Sequence, residues 1–292
     1  MTASFRLIAG KSPTALEFFA GIGLARAGLE QAGFSIAWAN DYETKKHQLY
    51  RSQYGSDTEY HVGDIADVTG SDLPTGSAIA WASSPCTDLS LAGNRDGLAG
   101  RQSGTFWHFV RILDELGDDR PPVAVLENVT GLASSHSGDD LTAAVRAFNS
   151  LGYSVDALAI DARHFIPQSR PRMFLVGALT PPNSDNSPSE LRPEWLEWIH
   201  SDPTLTTHRA PLPIVPPLLT QGFTALADQL PDDDPHWWNP SRTADFLRSL
   251  SPVQAARLES LRASNQVSYR TAYRRTRQGK PVWEIRPDDI AG

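Results

Sequence analysis

The chain carries one cysteine, Cys86, directly after a proline in Ser83-Ser84-Pro85-Cys86-Thr87-Asp88. With no second cysteine an intramolecular disulfide is excluded. A lone thiol where an apolar run opens into a glycine-rich loop is a candidate nucleophile. The competing reading is a thiol that packs as a small hydrophobe, as most free cysteines do. Glu127 closes a second apolar run, Pro122-Val123-Ala124-Val125-Leu126. An ionised carboxylate there needs a partner, or its pKa rises until it becomes a proton donor near neutral pH. Arg170 and Arg172 stand in Pro167-Gln168-Ser169-Arg170-Pro171-Arg172, and guanidinium forks suit a phosphate or the edge of a base.

Phe19-Ala20-Gly21-Ile22-Gly23 follows an apolar run and opens a helical pattern. That placement suits a nucleotide-type ligand approaching bare backbone, although a plain strand-to-helix turn would look the same. The third glycine of a dinucleotide fingerprint is replaced by Arg26, and no lysine accompanies the glycines to grip a triphosphate. Asp41, after the next apolar run, could take the two hydroxyls of a ribose, and Asp64 could reach an adenine amino group. Either carboxylate could equally be a solvated loop charge. Gly93, Gly97, Gly100 and Gly104 punctuate the polar stretch after Cys86, which reads as a lid or as an ordinary surface loop. The histidines show no ligand spacing, so no metal site is expected.

Short apolar runs alternate with helical patterns through the first half of the chain. Strands are expected at 14–19, 34–39, 60–65, 77–82, 122–126, 155–160 and 173–178, with helices from Leu24 towards Gly33 and at 45–54, 106–116 and 141–151. Alternation of this kind predicts an α/β fold with a doubly wound, mostly parallel sheet. Ligand sites of such sheets lie at the carboxyl ends of the strands. Gly21–Gly23, Asp41, Asp64, Cys86 and Glu127 all fall at predicted strand ends.

Composition sets wide bounds only. The chain has 292 residues, 40% hydrophobic and 21% charged, with a formal net charge of -8. That balance is ordinary for a globular protein and argues against nonspecific coating of nucleic acid, while leaving room for a local basic groove. No stretch reaches the roughly 20 apolar residues of a membrane helix. No membrane association and a cytoplasmic location are therefore expected, and a single thiol agrees with a reducing compartment.

Taken together and in order, Phe19-x-Gly21-x-Gly23, Pro85-Cys86, Glu127-Asn128-Val129 and Gln168-x-Arg170-x-Arg172 resemble the cytosine-C5 DNA methyltransferases over residues 14 to about 180. The resemblance implies a class I methyltransferase-like Rossmann domain over 1–180 and a partial target-recognition region over 181–292. It implies that S-adenosylmethionine is held by Phe19, Ala20, Gly21, Ile22, Gly23 and Pro85, with Asp41 on the ribose, Tyr42 and Ile65 against the adenine, and Asp64 on its amino group. Cys86 would be the nucleophile, Glu127 the group on N3 of the base, and Arg170 and Arg172 further anchors. The substrate would be double-stranded DNA, as in a bacterial or phage restriction-modification system. The cytosine would be flipped from the stack and covered by the loop from Thr87 to Gly104, with Ser90, Arg95 and Arg101 against the DNA. Two departures stand out: Leu24 and Thr87 occupy positions where many members have Gly and Gln.

Residues 181–217 are rich in Pro, Ser and Asp and read as a boundary or irregular segment. Beyond them, 244–250 and 252–262 read as helices. The tail interleaves tyrosine with Arg270, Arg274, Arg275 and Arg277, the best DNA-contacting candidate in the chain, with a solvated basic hairpin as the alternative. The family's last motifs, an arginine-containing one and one with a Gly-Asn pair, are not found before Gly292. A truncated enzyme, or one half of a split enzyme needing a complementing C-terminal chain, is expected from this, with weak methylation by the chain alone. An RNA cytosine methyltransferase and a catalytically silent DNA-binding subunit of the same fold remain alternatives. A thiol-dependent nicotinamide oxidoreductase is disfavoured by Arg26.

Overall fold

A computed structural model describes residues 12–55, 58–85, 104–263, 271–277, 280–286 and 288–290. Cys86, Ser90, Arg95, Arg101 and Arg270 lie outside the described residues, and of Arg275 and Arg277 only the backbone is described.

Seven strands make one sheet: β1 (Thr14–Phe18), β2 (Ser35–Asp41), β3 (Tyr60–Val62), β4 (Ile79–Ser83), β5 (Val123–Val129), β6 (Ser154–Asp161) and β7 (Pro171–Ala178). Their spatial order is β3-β2-β1-β4-β5-β7-β6. Strands β1 to β5 pair in parallel, and β7 lies antiparallel to β5. Between the strands run α1 (Leu24–Gln31), α2 (Thr44–Tyr54), α3 (Thr105–Glu115) and α4 (Asp139–Ser150). This is the doubly wound, mostly parallel architecture that the alternating pattern predicts. The order reverses between β1 and β4, which opens a crevice at their carboxyl ends.

Burial explains why these elements form. Leu16, Phe18, Trp38, Phe109 and Phe148 are at most 2% exposed. The Phe18 ring packs 4.9 Å from Trp38 and 4.8 Å from Phe109, so β1 is the spine on which the neighbouring strand and α3 meet. Such aromatic burial contributes about 1.5–3 kcal/mol per side chain. The third strand is shorter than its sequence pattern suggests. It ends at Val62 because the Asp64 carboxylate accepts the Ala66 N–H at 3.0 Å and turns the chain into a single 3-10 turn.

The chain divides into two compact units, 1–159 with 172–213, and 160–171 with 214–292. Residues 181–213 stay with the sheet through a buried ion pair. Asp156 on β6 accepts from Arg192 Nε at 2.9 Å and Nη2 at 2.5 Å, and from the Ala210 N–H at 2.9 Å. This first unit also holds the short helix α5 (Glu197–Ser201).

The second unit holds α6 (Pro240–Ser249), α7 (Pro252–Ala263) and a hairpin of β8 (Ala272–Arg277) with β9 (Lys280–Ile285). Asn239 caps α6 by accepting the Arg242 N–H at 2.8 Å, with Pro240 in the first turn where its missing N–H costs nothing. Trp238, Phe246 and Trp283 form an aromatic cluster with centroids 5.3–6.3 Å apart. Arg274 lies opposite Trp283 with its guanidinium 5.0 Å from that ring, so this arginine is engaged by the hairpin's own packing. Arg275 and Arg277 stand opposite Val282 and Lys280.

Candidate active site

The turn after β1 is shaped by three left-handed residues, Phe19 at φ 57°, Gly21 at 58° and Gly23 at 84°. A non-glycine residue in that region is uncommon, so the surrounding structure must hold Phe19 there. At Gly21 an added Cβ would have no neighbour closer than 3.9 Å, whereas at Gly23 it would stand 2.4 Å from the Tyr54 ring. The turn is therefore in ordinary contact with Lys46 of α2 at Gly21 and tightly packed by α2 at Gly23.

Asp41 ends β2 beside this turn and is nearly buried. Its Oδ2 accepts the Gly21 N–H at 3.1 Å, its Oδ1 the Glu43 N–H at 3.0 Å, and Lys46 Nζ bridges both oxygens at 3.4 and 3.3 Å. A carboxylate offers about four lone-pair positions. The two backbone bonds fix its orientation, and the half-exposed lysine occupies the positions that a vicinal diol would take. The nearby carboxylate raises the Lys46 pKa against the opposing effect of burial.

Asn40 donates to the carbonyls of His61 and Gly63, both at 3.0 Å, and thereby sets Asp64 next to the end of β2. Tyr42 is exposed, Ile22 half so, and Ala20 is buried. Ile65 is 4% exposed within the main core, so most of its surface is spent on packing.

The second cluster lies at the ends of β4, β5 and β7. Glu127 pairs with Phe174 in register and Val129 with Arg172. Glu127 and Arg172 are thus diagonal neighbours on one face of an antiparallel pair, where long side chains meet. Arg172 Nε lies 2.9 Å from Glu127 Oε1, with both side chains about one-fifth exposed. The partner that an acid at this strand end requires is therefore Arg172.

Its neighbour Asn128 points to the other face, 3% exposed, and donates to Ser84 Oγ at 2.9 Å. This bond ties β5 to the residue before Pro85, and Trp81 Nε1 adds another to Ser83 Oγ at 3.0 Å. The backbone leading to Cys86 is held from two directions. Arg170 is exposed, and its N–H is bound by Asp161 at 2.6 Å; it belongs to the second unit, whereas Arg172 belongs to the first.

A family profile described as C-5 cytosine-specific DNA methylase matches residues 14–244. The chain belongs to this family. Among curated relatives, the Type II methyltransferase M.BsuFI of Bacillus subtilis is 32% identical over 165 residues, which is 56% of this chain and 39% of that protein. M.HhaI of Haemophilus parahaemolyticus is 30% identical over 162 residues, 55% of this chain and 47% of that protein. The chain thus matches about half the length, or less, of these relatives. In fold it is similar to the S. pombe Dnmt2 methyltransferase, with a TM-score of 0.55 at 16% identity over 82% of this chain and 67% of that one. Among the described residues no helix is long and apolar enough to cross a membrane, and no group of His, Cys, Asp and Glu is placed to hold a metal.

Several side chains at these two clusters have no place in the motif reading. Glu17 is the next-to-last residue of β1, fully buried, with Oε1 accepting the Arg26 N–H at 3.0 Å and Oε2 without a partner among the described residues. Burial pushes its carboxyl up to about 7, against the pull of the Arg26 N–H and charge. Its only signal in the sequence is a carboxylate inside an apolar run, which Asp156 in β6 shares. Tyr54 and Tyr60, which bond the glycine turn, carry no signal beyond an aromatic at the end of α2 and at the start of β3.

Proposed function

We propose that this family member transfers a methyl group to C5 of cytosine in double-stranded DNA, with Cys86 as nucleophile and Glu127 on N3 of the base. The observation that carries this reading is the Arg172–Glu127 pair at the strand ends, beside the Asn128–Ser84 bond that anchors the approach to Cys86. S-adenosylmethionine, when bound, supplies an electrophilic methyl group. The glycine turn, the fixed Asp41 carboxylate and Asp64 together suit its adenosine portion.

Carbon 5 of cytosine is a weak nucleophile. The Cys86 thiolate forms a bond to C6, and the displaced ring electrons collect at C5 and towards N3. Arg172 takes Oε1 of Glu127, so the proton donated to N3 is assigned to Oε2 of the Glu127 carboxyl, from which it moves towards N3 as charge develops and to which it returns on elimination. The bond to N3 strengthens as charge develops and so favours the transition state over the ground state. After C5 has been methylated its proton leaves to a base, and elimination breaks the C6–sulfur bond. Because C6 is enclosed in a duplex, the base must be flipped out at a cost of a few kcal/mol.

The test uses duplex DNA carrying 5-fluorocytosine, on which the elimination cannot proceed. Incubation with S-adenosylmethionine should give a covalent adduct that survives denaturation, is lost in Cys86→Ser and is strongly reduced in Glu127→Ala. Labelled methyl groups should enter DNA and not transfer RNA. The assay is run with and without any protein encoded immediately downstream, since the chain covers about half of its relatives. Absence of adduct in both arms, or label entering only RNA, overturns the reading.

A further inference from the structure

The glycine turn after β1 is bound by two tyrosine hydroxyls. Tyr60 donates to the Gly21 carbonyl at 3.0 Å, and Tyr54 donates to the Gly23 carbonyl. Together with the Asp41 bond to the Gly21 N–H, three side chains grip a segment of three residues. Each tyrosine is itself held. The Tyr60 ring, 7% exposed, packs 4.5 Å from Tyr50 and 4.9 Å from His47. The Tyr54 ring lies under the Arg26 guanidinium at 4.1 Å and against Tyr50 at 4.9 Å. Arg26 is fixed in turn by Glu30 at 2.7 Å, by the Tyr50 hydroxyl at 2.9 Å and by Glu59.

Arg26, which breaks the dinucleotide fingerprint, thus closes a network beneath the turn. We infer that Tyr54 and Tyr60 are positioning residues that hold the Phe19–Gly23 backbone in its ligand-accepting shape, with Arg26 and Tyr50 holding them. This rests on the turn being the S-adenosylmethionine site proposed above.

The physical reason is preorganisation. A turn with left-handed residues at 19, 21 and 23 has competing conformations, and any freedom it keeps must be given up when a ligand binds. Hydroxyl bonds to two of its carbonyls remove that freedom beforehand. Neither tyrosine need touch the ligand: Tyr54 lies on the side that an added Cβ at Gly23 would meet, and Tyr60 is buried against Tyr50 and His47.

The experiment measures binding of S-adenosylhomocysteine to the full chain by calorimetry. Tyr54→Phe and Tyr60→Phe each keep the ring and remove one hydroxyl. The Gly23 carbonyl retains its bond from the Ala27 N–H at 3.1 Å, so Tyr54→Phe should remain folded. Each variant should weaken binding roughly three- to tenfold, the scale of one lost net hydrogen bond, and the pair more than either. Turnover at saturating methyl donor should change little, so the effect sits in KM. Tyr153→Phe, which removes a buried hydroxyl bonded to the Pro121 carbonyl at 2.6 Å, serves as the control and should leave affinity unchanged. Equal affinities in parent, Tyr54→Phe and Tyr60→Phe overturn the inference alone. So does a matching loss of affinity in Tyr153→Phe, which would mark a general effect of destabilisation. A parent that binds no S-adenosylhomocysteine overturns the functional reading and this inference with it.

Discussion

Glu17→Gln isolates the energetic consequence of a carboxylate in the middle of the sheet. In the folded protein burial raises its pKa from the ordinary 4.5 to about 7, while the unfolded chain keeps the ordinary value. Below about pH 4.5 both states are protonated and the site contributes no difference. Between about pH 4.5 and 7 the unfolded state gives up its proton more readily, so stability falls as pH rises; above about pH 7 the loss is constant. At about 1.4 kcal/mol per pH unit, the interval bounds the loss at about 3 kcal/mol. Glutamine keeps the acceptor for the Arg26 N–H and cannot ionise. Its amide places a donor where Oε2 lacks a partner, a cost that does not vary with pH. The decisive quantity is therefore the slope: urea midpoints taken from pH 4.5 to 8 should show parent and variant diverging by up to about 3 kcal/mol in the variant's favour. The other titrating groups are common to both proteins and cancel. A difference that stays flat across that range would show that Glu17 ionises alike in both states and would refute the reasoning.

Gly23→Ala should unfold or strongly destabilise the turn, because its Cβ meets the Tyr54 ring at 2.4 Å and alanine resists φ 84°; thermal melting and S-adenosylhomocysteine titration measure both losses. Asn128→Ala removes the bond to Ser84 Oγ and leaves a buried hydroxyl without its donor, so about 1–3 kcal/mol of stability should be lost in urea titrations, with a lower adduct yield on 5-fluorocytosine DNA. Lys46→Ala removes the ammonium from both Asp41 oxygens and leaves their backbone bonds in place, and calorimetry should show S-adenosylhomocysteine binding several-fold tighter. Weaker binding there would show that the ammonium orients Asp41 for the ligand. Trp283→Ala dismantles the contacts among Trp238, Phe246 and Arg274 in the second unit, and proteolysis should then cut the 214–292 region first.

Much of the fold could be read locally. Apolar runs of five or six residues separated by helical spacings name the strands and helices, and the motifs at their ends name the family, because both signals are carried by residues close together in the chain. The same signals place Glu127 and Asp41 at strand ends but say nothing of what they touch. Arg172 reaches Glu127 only because β7 inserts antiparallel between β5 and β6, a pairing set by the sheet's topology. Tyr54 and Tyr60 reach the glycine turn across 31 and 39 residues of chain, and Asn128 reaches Ser84 across 44. Nothing local marks Glu17 except its apolar neighbours, and burial in the sheet raises its pKa to about 7. Periodicity encodes which face of an element is apolar. The contacts that hold the glycine turn and pair Arg172 with Glu127 arise only when distant elements are packed together.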